Sequence, residues 1–116
     1  MNVEDLRIYC LSKEHVSEAF PFDESTLVFY VVDKIFALLP LDESDTRINL
    51  KCEPIRAIEL REEYHQIIPG FHMNKKHWNT VLSDDLDEVF IKELINHSYV
   101  QVVNGFSNKK RENFNL

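Results

Sequence analysis

The chain has 116 residues, enough for one domain that buries roughly two-thirds of the surface its unfolded form exposes and therefore needs no covalent staple. Its formal net charge is -7, with 20 Asp and Glu against 13 Lys and Arg, which argues against a uniformly basic nucleic-acid coat. Two Cys exclude a disulfide framework, and no apolar run approaches the ~18 residues of a membrane span.

The opening segment Met1–Leu6 lacks a cationic region followed by an apolar run, so it does not read as a signal peptide, and a cytoplasmic location is expected. Asn2 is placed to cap a helix in which Val3, Leu6, Tyr9 and Cys10 recur at helical spacing, with Glu4 and Asp5 at the positive end of the helix dipole. That helix is expected to end between Ser12 and His15. Leu27–Val32 and Lys34–Leu39 are rich in β-branched and aromatic residues and predict a hairpin turning at Asp33. Arg47–Cys52 alternates strictly, which predicts a strand with Ile48, Leu50 and Cys52 buried and Arg47, Asn49 and Lys51 in water.

Pro54 suits the first turn of a second helix, with Ala57, Leu60 and Tyr64 as its inner stripe. Pro69-Gly70 breaks that pattern, and Trp78–Val81 returns to strand-like residues. Asp84 or Asp85 is the expected cap of the last helix, whose apolar face carries Phe90, Ile91, Leu94, Ile95, Ser98 and Val102, and Gly105 is its expected stop. Helix, three or four strands, helix, two strands and helix predict an α+β two-layer sandwich, an antiparallel sheet with helices on one face. One domain spans residues 1–106, and residues 107–116 read as a short basic tail.

Composition is most unusual between Tyr64 and Ser83, where no Asp or Glu occurs although three of the five His, Lys75, Lys76 and the single Trp fall there. A locally cationic, aromatic segment has the chemistry to meet a phosphate or a nucleobase. Lys75 and Lys76 contribute little to folding as neighbours, so an anionic partner is the reading that explains them. His72, Asn74, His77, Trp78 and Asn79 are candidate polar or stacking contacts, with Arg47, Lys51 and the run Lys109-Lys110-Arg111 as further phosphate contacts. Trp78 reads as a structural anchor ahead of a stacking platform, and His72 and Asn74 read equally as turn residues.

Enzymatic constellations are not found. His72 and His77 are five residues apart, roughly 140° around a helix and on opposite faces of a strand, so regular structure does not bring both to one metal. There is no Gly-x-Ser-x-Gly elbow, and Gly70 and Gly105 alone cannot form a phosphate-cradling loop. Cys10 and Cys52 sit among apolar neighbours and read as small buried hydrophobes. No enzyme activity and no cofactor are expected.

The segments Phe20-Pro21-Phe22-Asp23, Ile48–Pro54, Pro69–Val81 and Leu94-Ile95-Asn96-His97-Ser98-Tyr99 resemble, in order and spacing, the signatures of the MmcQ/YjbR family. The resemblance covers the chain from Met1 to about Gly105. It implies a small bacterial domain grouped near secretion-chaperone-like and frataxin-like sandwiches, with a proposed DNA-binding role. It also implies that Val32-Asp33 replaces a Gly-containing hairpin turn, and that Lys109-Lys110-Arg111 is a basic tail of a common type. Two functional expectations stand: a DNA- or other nucleic-acid-binding module, and a chaperone-like module that binds a protein partner. Either is expected as a monomer or weak homodimer, away from membranes.

Overall fold

A computed structural model describes all residues from Met1 to Leu116. The elements, in chain order, are α1 (Val3–Leu11), β1 (Val16–Ala19), β2 (Thr26–Val31), β3 (Lys34–Pro40), β4 (Arg47–Lys51), α2 (Pro54–Glu63), β5 (Ile67–Pro69), β6 (Trp78–Leu82), α3 (Glu88–Asn104) and α4 (Asn108–Phe114). The strands form one antiparallel sheet in the order β1-β2-β3-β4-β6-β5. The α+β sandwich is therefore as expected, with β1 and β5 as short edge strands flanking the hairpins.

Alternation along the strands decides which side chains meet the helices. Leu27, Phe29, Val31, Ile48, Leu50 and Val81 face Leu6, Cys10, Ala57, Leu60, Ile91, Leu94 and Ile95 in one core. At about 25 cal/mol per Å² of apolar area, each fully buried Leu or Phe stabilises the fold by roughly 1.5–3 kcal/mol. Burial holds the two thiols in their protonated form, raising Cys10 to about 12 and Cys52 to about 11.

Helix ends follow local chemistry. Asn2 caps α1 reciprocally with Asp5, its side chain accepting from the Asp5 N–H at 2.8 Å. Glu53 caps α2 ahead of Pro54 by accepting from the Ile55 and Arg56 N–H groups. Asp87 caps α3, a few residues later than expected, because Asp85 takes a positive φ of 68° and makes the preceding turn. Residues 107–116 are not a loose tail. Ser107 caps α4, the Phe114 carbonyl meets His15 Nε2 at 2.7 Å, and Lys110 pairs with Asp33 while lying over the Phe106 ring. The hairpin turn without Gly places Val32 at φ 58°, a conformation that costs a β-branched residue about 1–2 kcal/mol.

The sheet opens between β3 and β4. Their pairing is confined to Ala37 with Leu50 and Leu38 with Asn49, and β3 carries a bulge that turns both Phe36 and Ala37 toward the helices. Where the strands part, Ser98 of α3 replaces the ladder. Its hydroxyl accepts from the Lys51 N–H at 2.8 Å and donates to the Phe36 carbonyl at 2.5 Å. The residues beside it are also committed. Asn96 Oδ1 accepts from the Tyr9 hydroxyl at 2.7 Å and from Lys13; His97 Nε2 accepts from the Glu53 N–H at 3.1 Å; the Tyr99 hydroxyl donates to the Glu14 carbonyl at 2.7 Å. His97 thus reaches from α3 across to the start of α2.

Ser98→Ala leaves a buried N–H and a buried C=O without partners, so a loss of about 2–4 kcal/mol is expected from denaturant midpoints. A loss under about 0.5 kcal/mol would show that the strands close on each other instead.

Acceptance from Glu53 requires an unprotonated His97 Nε2. Burial first and the Arg56 charge second hold this imidazole below the ordinary 6.5. The unfolded chain therefore takes up the proton first, and stability is fully present above about pH 6.5 and falls as pH drops toward the lower folded value. Urea titrations between about pH 7.5 and 5.5 are expected to show this slope in the wild type and a shallower one in His97→Gln, whose amide oxygen can still accept.

Candidate functional site

The face of the sheet away from the helices carries rows of side chains that run across the strands. A middle row, Val28, Leu38, Asn49 and Thr80, is read from successive registers across four strands and is buried although no helix lies over it. Asn49, expected in water, is 6% exposed. The loop after β5 is responsible. Gly70 stays in register with Trp78, its N–H donating to the Trp78 carbonyl at 2.9 Å, and a Cβ there would stand 2.9 Å from both the Trp78 carbonyl oxygen and its Cβ. Beyond Gly70 the chain folds back over the sheet: the Phe71 N–H donates to Thr80 Oγ1 at 3.1 Å, and Thr80 Oγ1 donates to Asn49 Oδ1 at 2.5 Å. His72 then takes a positive φ of 59°.

The second row lies at the end of the sheet where β3 begins, β4 ends and β6 begins. It runs Tyr30, Ile35, Lys51 and Trp78, all half-buried. Lys34 and Lys76 stand beside it, one at the start of β3 and one just before β6, and both are exposed. None of Lys34, Lys51 and Lys76 is among the ion pairs, which engage Arg7, Arg47, Arg56, Lys92 and Lys110.

Antiparallel topology sorts the charges. The connections at the far end of the sheet carry Asp23 and Glu24 before β2, Asp42, Glu43 and Asp45 before β4, Glu62 and Glu63 before β5, and Asp84, Asp85 and Asp87 after β6. The near end carries Lys34, Lys51, Lys75, Lys76 and, through the contact of α4 with the β2–β3 turn, Lys109 to Arg111. Its carboxylates include Glu14, Asp33, Glu53, Glu112 and, on the helix side, Glu93, which is paired with Arg56. The bond to Lys110 holds Asp33 below the usual carboxylate range, and the Arg56 and Ile55 N–H groups do the same for Glu53.

Several sequence candidates are placed differently from expectation. Arg47 lies at the acidic end and is clamped by Asp45, with Nε to Oδ1 at 2.7 Å and Nη2 to Oδ2 at 2.9 Å, which keeps the Asp45 carboxyl below its usual range. Asn79 is 2% exposed and faces the helices, accepting from Arg61 Nε at 2.6 Å and donating to the Ala57 carbonyl at 3.4 Å. Neither is free for a ligand. Lys75 is exposed but its Nζ donates to the Gly70 carbonyl at 3.1 Å, and Asn74 Oδ1 accepts from the Lys76 N–H at 2.9 Å, so these two shape the loop. Lys110 is bound to Asp33, leaving Lys109 and Arg111 as the cationic side chains of α4 without an ion pair. His77 is half-buried at the loop's return to β6.

Tyr30, Lys34 and Arg61 escaped the sequence reading. Alternation within β2 already put Tyr30 on the face opposite Phe29. Arg61 carried no signal, since its role is tertiary: its guanidinium ties α2 to the carbonyls of Lys75 and Trp78 as well as to Asn79.

The family model described as YjbR matches residues 11–101. The Escherichia coli K12 protein YjbR is 32% identical over 113 residues, 97% of this chain and 96% of that protein, and YbdF of Escherichia coli O157:H7 is 33% identical over 110 residues, 94% and 90% of the two chains. Among solved structures, the Deinococcus radiodurans protein DR2400, a DUF419 domain, superimposes with a TM-score of 0.91 at 38% identity, covering 99% of this chain and 88% of that one.

Arg61→Ala is expected to cost about 2–3 kcal/mol in thermal or chemical unfolding, because it strands the buried Asn79 amide and frees the loop. Lys76→Ala, at an exposed site without an ion pair, is expected to stay within about 0.5 kcal/mol of the wild type. Equal effects of the two would contradict this division between support and surface.

Proposed function

The chain belongs to the YjbR family, and from that premise we propose that it is a non-enzymatic nucleic-acid-binding module that holds a single-stranded segment across the cationic end of its sheet. The observation that carries this reading is the row Tyr30, Ile35, Lys51 and Trp78, flanked by Lys34 and Lys76 with no carboxylate paired to any of the three lysines. Partly exposed aromatic rings on an open sheet face suit stacking of unpaired bases, whose π-faces are accessible whatever their sequence. Ammonium groups between and beside the rings suit the phosphates that link those bases.

The net charge of -7 does not oppose this arrangement, because so many of the carboxylates lie at the far end of the sheet. A polarised charge distribution orients an approaching anion toward the near end and repels it from the other. Base identity goes unread in such a site: phosphate contacts position the strand, and Tyr30 and Trp78 stack without discriminating.

Three neutralised phosphates on a single strand give a salt slope of about -2, so affinity for an oligothymidylate is expected to fall about twentyfold between 50 and 200 mM salt. Lys51→Ala and Lys76→Ala are each expected to weaken binding and to reduce that slope by about 0.7. Trp78 fluorescence is expected to quench on binding, and Lys109→Ala to weaken binding less than either sheet-end lysine. Fluorescence titration of wild type and variants across a salt series checks all of this. Binding that ignores salt, or that survives both sheet-end substitutions unchanged, would reject the reading.

A further inference from the structure

The middle row ends in a second site, separate from the cationic end. A cleft of about 520 Å³ opens over the same sheet face toward the acidic end, with Leu38 and Asn49 in its floor, Phe22 and Phe71 in its walls and Asp42 and Glu43 at its rim. The two phenyl rings are large apolar groups left open, Phe22 at 67% and Phe71 at 57% exposure. This volume is in the range of sites that enclose small ligands or a few residues of a peptide.

Asn49 shows what the floor is prepared to bind. Its side chain is buried, and its Oδ1 is committed to the Thr80 hydroxyl, which itself accepts from the Phe71 N–H. That relay fixes the orientation of the amide, because only this orientation uses the Thr80 hydrogen. The amide NH2 group has no partner within the protein, yet no buried side-chain nitrogen or oxygen in the structure is sealed off without one. The group is therefore open to the cleft, and a hydrogen-bond acceptor is what it lacks.

We propose that this cleft binds a short extended polypeptide segment of a partner protein in which apolar and basic residues alternate. Each part of the site matches one part of such a segment. A main-chain carbonyl meets the Asn49 amide, an apolar side chain enters between Phe22, Phe71 and Leu38, and an Arg or Lys, pointing the other way in an extended chain, reaches Asp42 and Glu43. Asp23 lines the cleft as well and adds to its negative charge, its Oδ1 accepting from the Ser25 and Thr26 N–H groups at 3.0 and 2.7 Å. Arg47 is matched one to one by Asp45, and although it also feels the Glu43 charge, the rim keeps a net negative charge. An anionic strand is excluded from the same place by Asp42 and Glu43, so this site is distinct in chemistry from the cationic end and does not depend on it.

The test follows the side-chain amide resonances of Asn49 and the backbone resonances of Phe71 and Thr80 in the full chain during titration with acetyl-Leu-Arg-Leu-Arg-amide. Saturable shifts of all three are expected, with affinity at least fivefold weaker for the double variant Asp42→Asn/Glu43→Gln, whose exposed substitutions spare the fold. Acetyl-Leu-Glu-Leu-Glu-amide is expected to produce no saturable shift. Absence of shifts with the basic peptide, equal shifts with the acidic one, or unchanged affinity in the double variant would each overturn the proposal. Movement of the Asn49 amide by oligothymidylate and not by peptide would reassign the cleft to nucleic acid and overturn it as well.

Discussion

The hydroxyl of Ser98 stands where β3 and β4 part company, and the arrangement of the sheet's cationic end depends on it. Two neighbouring strands cannot separate inside a protein without leaving main-chain donors and acceptors unpaired, which is costly at each buried group. By serving the Lys51 N–H and the Phe36 carbonyl together, one side chain permits a divergence that the ladder alone would forbid. Its neighbours extend the same logic. Asn96, His97 and Tyr99 reach α1, the start of α2 and the α1–β1 connection, so one stretch of α3 fixes the positions of several elements. The four-residue run is thus a docking hub.

Divergence of β3 from β4 leaves Lys34 and Lys51 apart from each other at one end of the sheet, each paired only on its other side with Val31 and Trp78, and antiparallel connectivity does the rest. Each hairpin returns the chain to the end it left, so segments distant in sequence share an end of the sheet. Acidic connections accumulate at one end and cationic ones at the other. A protein of negative net charge can in this way present a surface of the opposite sign, because potential near a surface is set within about a Debye length and not by the total.

Much of this was legible in the chain. Strict alternation in Arg47–Cys52 placed Ile48 and Leu50 correctly, Asn2 and Pro54 marked two helix starts, and the acid-free segment marked the loop that shapes the open face. Other features depended on contacts that no local pattern encodes. Asn49 obeys the alternation yet is buried, because the loop after Gly70 lies across it; Arg47 obeys it too, but its charge is taken up by Asp45 two residues away. Asn79 faces inward because Arg61, on a different element, supplies a charged donor that makes burial of an amide tolerable. The last residues read as a tail because a short amphipathic helix of mostly polar residues has little apolar signal; its position comes from Lys110, Phe114 and Leu116 meeting partners elsewhere.

What joins these observations is that one splayed, helix-braced sheet carries a cationic end and an acid-rimmed cleft on a single face. Backbone amide shifts mapped over the whole chain during titration with an oligothymidylate test this polarity most directly. The account predicts the largest changes at Lys34, Lys51, Lys76, His77 and Trp78, with Asp42, Glu43 and Asp84 unmoved. Largest changes at the Asp42–Glu43 end, or changes spread evenly over both ends, would contradict it.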